Sequence, residues 1–180
     1  MAASRIARIG GWTAVVTALL LAGCAPKRPV PPPVPPRPPV PAPAALDPES
    51  YMAFSASSAL FAARASNMAE GRGSTNKIKN YAAKVVMDQT AIGAQLNFAG
   101  RRLNLLPSSR PIPRHQAMLE TLATSSSFDA TYKRMMAEVL SEALAAHQAF
   151  EARGSSPTLR PVATFAGPVC AKNLEQLRKL

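Results

Sequence analysis

One apolar stripe, spaced for a single helix face, constrains the fold of this chain more than any other feature. Between residues 76 and 103 an apolar side chain recurs every three or four positions, and only Gln89 interrupts the series. The other members of the stripe are Ile78, Ala82, Val85, Ile92, Leu96, Ala99 and Leu103. This spacing places them on one side of an α-helix, where other elements must cover them. The stripe therefore predicts a long amphipathic helix in a domain of several helices.

Three further long helices and one short helix are predicted from similar spacing. The first long helix begins after Asp47, a residue type that caps helix N-termini, and extends to about Glu70. The other two span about 128–153 and 157–177. The short helix, at 113–123, is expected to cap one end of the domain. The predicted fold class is all-α, because no strand-like alternation of apolar and polar residues follows the first of these helix starts.

The helices are expected to form an antiparallel four-helix bundle with a short extra helix, occupying residues 47–180. Phe54, Phe61 and Met68 recur at intervals of seven and predict the buried face of the first helix. A serine and a proline, Ser156-Pro157, predict the cap and first residue of the last helix.

The N-terminal segment, residues 1–23, has the organisation of a secretory signal peptide. Arg5 and Arg8 precede an apolar run that is too short to span a bilayer. The run ends in Leu21-Ala22-Gly23-Cys24, which resembles a bacterial lipobox. That resemblance implies acylation of the Cys24 thiol and cleavage after Gly23. An ordinary signal cleavage site, or an uncleaved anchor, remains the alternative.

A proline-rich tether, residues 24–46, follows the predicted cleavage site. Prolines with Val, Ala, Lys and Arg between them cannot form a helix or a sheet and favour the polyproline II conformation. At about 3.1 Å per residue, the segment can hold a domain on the order of 60 Å from a membrane. The second residue of the mature chain, Ala25, is not the aspartate of the inner-membrane retention signal. In a cell with two membranes, these features favour the outer one, with the domain facing the periplasm.

The charge of the chain favours an anionic partner in the cell envelope. The formal net charge is +11, of which +6 belongs to the predicted bundle once the signal and the tether are set aside. The basic residues are dispersed and few aromatic side chains accompany them, so a nucleic-acid partner is not expected. Lipid head groups, lipopolysaccharide or cell-wall polymer fit this charge better. The second cysteine, Cys170, is expected to be a buried free thiol.

Several stretches between residues 51 and 177 resemble the DUF4142 family of bacterial envelope proteins. They are the small residues Ser55 to Ala59 with Leu60-Phe61; Tyr81-Ala82 through Met87-Asp88; Arg114 to Leu119; Phe128-Asp129 with Tyr132 and Met135-Met136; His147-Gln148 through Gly154; and Pro157-Thr158-Leu159-Arg160. The resemblance implies a ferritin-like four-helix bundle. It covers nearly the whole predicted domain and contains no catalytic signature.

The resemblance also implies where a metal site would lie, and this chain lacks the usual ligands there. Relatives often carry an acid near Ala62, a histidine at Gln89, a histidine at Leu140 and a histidine near Asn173. The two amides among these, Gln89 and Asn173, fall on interior stripes and are expected to hydrogen-bond each other or a backbone carbonyl. Neutral amides alone do not retain transition metals.

His147 is the remaining metal candidate, with Glu151, Glu142 and Asp88 as weak partners. Glu151 follows His147 by four residues, a spacing that brings side chains together on a helix. A solvent-facing or structurally paired histidine is the simpler interpretation. The other histidine, His115, is expected to be a capping or surface residue.

The sequence thus predicts a non-catalytic envelope lipoprotein, held by membrane lipid at Cys24, with no cofactor and a binding or structural role. A metal-binding or redox protein with a rebuilt ferritin-like site is one alternative. A binder of a small apolar ligand is another, since the many alanines on the helices can leave a cavity between them.

Overall fold

The computed structural model describes residues 46–180, which form one compact all-α unit. The predicted signal peptide, Cys24 and nearly all of the tether lie outside the described residues. The helices are α1, Pro48–Arg72; α2, Asn76–Leu103; α3, Pro113–Thr124; α4, Phe128–Arg153; and α5, Arg160–Leu177. The prediction of four long helices and one short helix is confirmed. None of the helices in this part of the chain combines the length and the apolar character needed to cross a membrane.

Local capping groups fix the ends of the first two helices. The Asp47 carboxylate accepts a hydrogen bond from the Ser50 amide (2.8 Å), and the Thr75 hydroxyl accepts one from the Ile78 amide (3.2 Å). Asn104 ends α2 in the left-handed conformation, with φ of 52°. These short-range contacts explain why the helix boundaries follow from the local sequence.

The four long helices form a square in the order α1, α2, α5, α4, and every neighbouring pair is antiparallel. The start of α1 meets the end of α4, where the Tyr51 and Phe150 rings stack with centroids 3.9 Å apart. The start of α2 meets the end of α5, where Lys77 donates to the Lys179 carbonyl (3.2 Å). Helices α2 and α4 are therefore parallel, and a crossover that runs the length of the bundle must join them, as in ferritin-like bundles.

Helix α3 lies in this crossover and packs along the sides of α1 and α4, so the prediction that it caps one end is wrong. Its first turn is beside Ser57, and its C-terminal carbonyls accept hydrogen bonds from Arg72, the last residue of α1. The chain has to return from one end of the bundle to the other before α4 begins, and α3 carries it there.

The core confirms the stripe of α2 from Ile78 to Ala99, whereas Leu103 is 36% exposed. In α1 the buried face is made mainly of small residues: Ser55, Ala56, Ala59, Ala62, Ala65, Ser66 and Ala69. Of the three residues predicted for that face, only Phe61 is fully buried. Three helices contact α1, so small side chains occupy most of its surface.

The connection from α4 to α5 differs from the prediction and also receives the N-terminal segment. Helix α5 starts at Arg160, because Ser156 and the following residues form a turn in which the Ser156 hydroxyl accepts from the Leu159 amide (3.3 Å). Leu46 joins the bundle here. Its amide donates to the Arg153 carbonyl (2.9 Å), and its carbonyl accepts from the Ser155 amide (3.2 Å).

Candidate functional site

The bundle interior contains a histidine and tyrosine pair between α1 and α4. The Tyr51 hydroxyl and His147 Nδ1 are 2.9 Å apart, and both side chains are buried. Burial lowers the pKa of His147 to about 4, so the imidazole is neutral at neutral pH. Burial also raises the pKa of the Tyr51 phenol above its usual value, with the nearby Ser55 hydroxyl acting in the opposite direction. The interpretation of His147 as a structurally paired residue agrees with this geometry.

The weak metal candidates do not come together around His147. Glu142 accepts two hydrogen bonds from the Arg114 guanidinium, at 2.7 and 2.8 Å, and this contact lowers its pKa. Asp88 pairs with Lys84 on the outer side of α2, and Glu151 is exposed. Within residues 46–180, no group of three His, Cys, Asp or Glu side chains is arranged to hold a metal ion.

The interior amides do not pair as expected. Asn173 is fully buried, and neither its oxygen nor its nitrogen has a hydrogen-bond partner among the described residues. Gln89 Nε2 is also unpartnered there, and the Gln89 side chain instead neighbours the Cys170 thiol. The expectation that the two amides satisfy each other is wrong, because Cys170 occupies the position on α5 that faces Gln89.

Cys170 is a buried free thiol, as predicted. Burial raises its pKa to about 11, while the nearby Gln89 side chain acts in the opposite direction. The thiol is therefore protonated at neutral pH. A protonated thiol that solvent does not reach is a poor nucleophile and a poor metal ligand.

The second histidine is as deeply buried as the first, so the prediction that His115 is a capping or surface residue is wrong. His115 has no exposed surface, and its Nδ1 is 2.7 Å from the Ser57 hydroxyl. The same hydroxyl accepts from the Ile112 amide (2.8 Å), so its own hydrogen points to Nδ1. Burial lowers the pKa of His115 and favours the neutral ring. The missed signal is the spacing of His115, Leu119 and Leu122, which share one helix face.

An open groove lies on the surface between α1, α2 and the first part of the crossover. Its volume is about 630 Å³. Alanine and glycine make up half of its lining from the two helices, and residues 107–109 form its third side. The helical residues at the groove are Ala56, Ala59, Leu60, Ala63, Gln89, Thr90, Gly93, Ala94, Leu96 and Asn97. This volume is in the range of small-molecule sites.

Comparison with known families decides where the chain belongs. The family model described as a domain of unknown function, DUF4142, matches residues 35–180, which is most of the chain. The chain is a member of the DUF4142 family. No curated protein and no solved structure matches it.

The positions at which the DUF4142 resemblance implies metal ligands all lie inside the bundle. Ala62, Gln89, Leu140 and Asn173 are each 3% exposed or less. These four positions are therefore interior in this DUF4142 protein, and none of them carries a carboxylate or an imidazole.

Proposed function

We propose that this DUF4142 protein is a lipid-anchored protein of the bacterial cell envelope, whose bundle has a binding or structural role without catalysis. The observation that carries the proposal is the sequence Leu21-Ala22-Gly23-Cys24 at the end of a signal-like apolar run. Acylation of the thiol and of the new N-terminus attaches two or three acyl chains, which are enough to hold a protein stably in a membrane.

The tether and the charge support the same proposal. About twenty residues rich in proline separate Cys24 from Leu46, which is hydrogen-bonded to the connection between α4 and α5. Such a spacer sets how far the bundle can lie from the membrane that holds its anchor. The excess of basic residues favours an anionic envelope component as the partner.

The buried groups of the bundle support a non-catalytic role. Ser57 and His115 are close enough for a nucleophile and its base, but both are buried and the Ser57 hydroxyl also holds the Ile112 amide. His147 is paired with a tyrosine, and Cys170 is a protonated interior thiol. In each case the reactive group is buried in the bundle.

The test is metabolic labelling of the full-length protein with an alkyne fatty acid in a bacterial host. We expect label in the wild type and in Cys170→Ser, and none in Cys24→Ser. Cys170→Ser is the matched control, because it removes the other cysteine of the chain. Absence of label from the wild type, or label that persists in Cys24→Ser, would contradict the proposal.

The groove favours a second candidate function, the binding of a small apolar ligand. Its small side chains leave a space of about 630 Å³ beside α1 and α2. Gly93 faces this space, and a Cβ atom added there would meet nothing within 4 Å. A larger side chain at Gly93 therefore fills the groove without forcing the helices apart.

Native mass spectrometry of protein purified from its own host tests this candidate. If the groove holds a ligand, a co-purifying mass is present in the wild type and absent from Gly93→Leu. Gly71→Leu is the control, because Gly71 is also a helical glycine with open space around it but lies outside the groove. A wild-type protein without bound ligand, or a ligand retained in Gly93→Leu, would remove this candidate.

A further inference from the structure

Most of the exposed large apolar side chains of the described region lie near one end of the bundle. They are Phe98 (63% exposed), Leu103 (36%), Leu106 (64%) and Phe165 (43%), and the fifth such residue, Met87 (72%), lies farther along α2. Single exposed apolar residues are common on soluble proteins, but a group of them marks an interaction surface. These four residues therefore indicate an interaction surface at this end of the bundle.

The end concerned is the one at which the tether joins the bundle. Leu46 is hydrogen-bonded to Arg153 and Ser155 at the connection between α4 and α5. The last turns of α2 lie next to the start of α5, since Phe98 and Pro161 line the same groove. We call Phe98, Arg101, Arg102, Leu103, Leu106 and Phe165 the basal patch.

On α2 and α5 the charge around the basal patch has one sign, while three exposed acids, Asp47, Glu49 and Glu151, lie at the same end of the bundle on the start of α1 and the end of α4. No Asp or Glu occurs between Asp88 and Glu120, which includes the second half of α2 and the loop that follows. None occurs between Glu151 and Glu175 either, which includes the start and middle of α5. Arg101 and Arg102 are exposed, and neither forms an ion pair with another residue in the described part of the chain.

We propose that the basal patch docks on the anionic phospholipid surface of the membrane to which the chain is anchored. The inference rests on the proposed attachment at Cys24, and it adds that the bundle has a fixed orientation. The tether ends at Leu46, on the same end as the patch, so this end of the bundle is the one joined to the anchor. Phenylalanine and leucine side chains enter the interfacial region of a bilayer, and arginines bind the lipid phosphates.

The chain offers a direct reporter for this contact. Its single tryptophan, Trp12, lies in the predicted signal peptide, so a tryptophan introduced into the mature protein is the only one present. Phe98→Trp places the reporter in the patch. Met87→Trp is the matched control, because eleven residues of helix return to nearly the same side of α2 about 16 Å farther from the tether end.

The experiment uses the acylated protein reconstituted in phosphatidylglycerol-containing vesicles, with and without brominated acyl chains. Docking predicts a blue-shifted emission that brominated lipid quenches at least threefold for Phe98→Trp, with no quenching for Met87→Trp. Equal emission and equal quenching of the tryptophans in the two variants would overturn the proposal that the basal patch docks on the membrane. Mass spectrometry of the Cys24 peptide from the same sample separates this result from a failure of acylation.

A second arm removes the acyl chains and tests the patch alone. Mature Cys24→Ser protein is sedimented with the same vesicles. We expect the double variant Arg101→Gln, Arg102→Gln to bind the vesicles about 30-fold more weakly. This factor follows from about 1 kcal/mol of binding free energy for each basic side chain near an anionic surface. The control pair Lys172→Gln and Arg178→Gln, nearer the opposite end of α5, changes the net charge equally. Equal loss in both pairs, or equal binding to zwitterionic vesicles, overturns the proposal.

Discussion

The buried histidine of the interior, His147, makes the folding stability of the bundle depend on pH. Its pKa is about 4 in the folded chain because of burial, against about 6.5 in an unfolded chain. Between these pH values the unfolded chain binds a proton that the folded chain does not, so stability falls as the pH decreases from about 6.5 to about 4. Each pH unit is worth about 1.4 kcal/mol, so the full loss is about 3 kcal/mol.

Urea unfolding of the mature protein at pH 7 and pH 4.5 measures this loss. His147→Gln cannot gain the proton, and its side chain can still hydrogen-bond Tyr51. Between pH 7 and pH 4.5, we expect the free energy of unfolding of His147→Gln to fall by about 2 to 3 kcal/mol less than that of the wild type. Carboxylates that titrate below pH 5 affect both proteins equally. The control is His115→Gln, which keeps His147 and its part of the pH dependence. Equal losses in the wild type and His147→Gln would show that His147 is not the source of this pH dependence.

Four further predictions concern packing and metal content. Gly93→Ala raises the free energy of unfolding by about 0.5 to 1 kcal/mol in urea melts, because its Cβ meets open space. Gly73→Ala lowers it by about 1 to 3 kcal/mol, because its Cβ would lie 2.7 Å from the Ala69 carbonyl oxygen. Ser57→Ala costs about 1 to 3 kcal/mol in the same assay, since it removes the partner of the buried His115 Nδ1 and of the part-buried Ile112 amide. Protein purified without added metal contains less than stoichiometric iron, manganese, copper and zinc by mass spectrometry, and a stoichiometric metal would favour the redox alternative.

The helices and much of their buried surface could be predicted from the sequence because their causes are local. A stripe such as that of α2 needs only the helical period, and the caps at Asp47 and Thr75 act within three residues. The expectation of a ferritin-like architecture came from the family resemblance and not from these local patterns. The family match to residues 35–180 confirms the family and leaves its function open.

The remaining features depend on contacts between residues that are distant in the sequence. His115 is buried because the crossover returns along α1, and its partner Ser57 precedes it by 58 residues. Because of the same path, α3 lies along the side of the bundle and not, as the sequence had predicted, at its end. The small-residue face of α1 was missed because three helices surround α1, which no local pattern reveals. The neighbours of Gln89 and Asn173 likewise depend on the relative positions of α2 and α5.

The proposed function depends on attachment of the chain to the envelope by lipid at Cys24. The intact mass of the protein extracted from the membrane fraction of a bacterial host tests this attachment. We expect a chain that begins at Cys24 and carries the added mass of a diacylglyceryl group and an N-terminal acyl group. A chain that retains residues 1–23, or one with an unmodified Cys24, would contradict it.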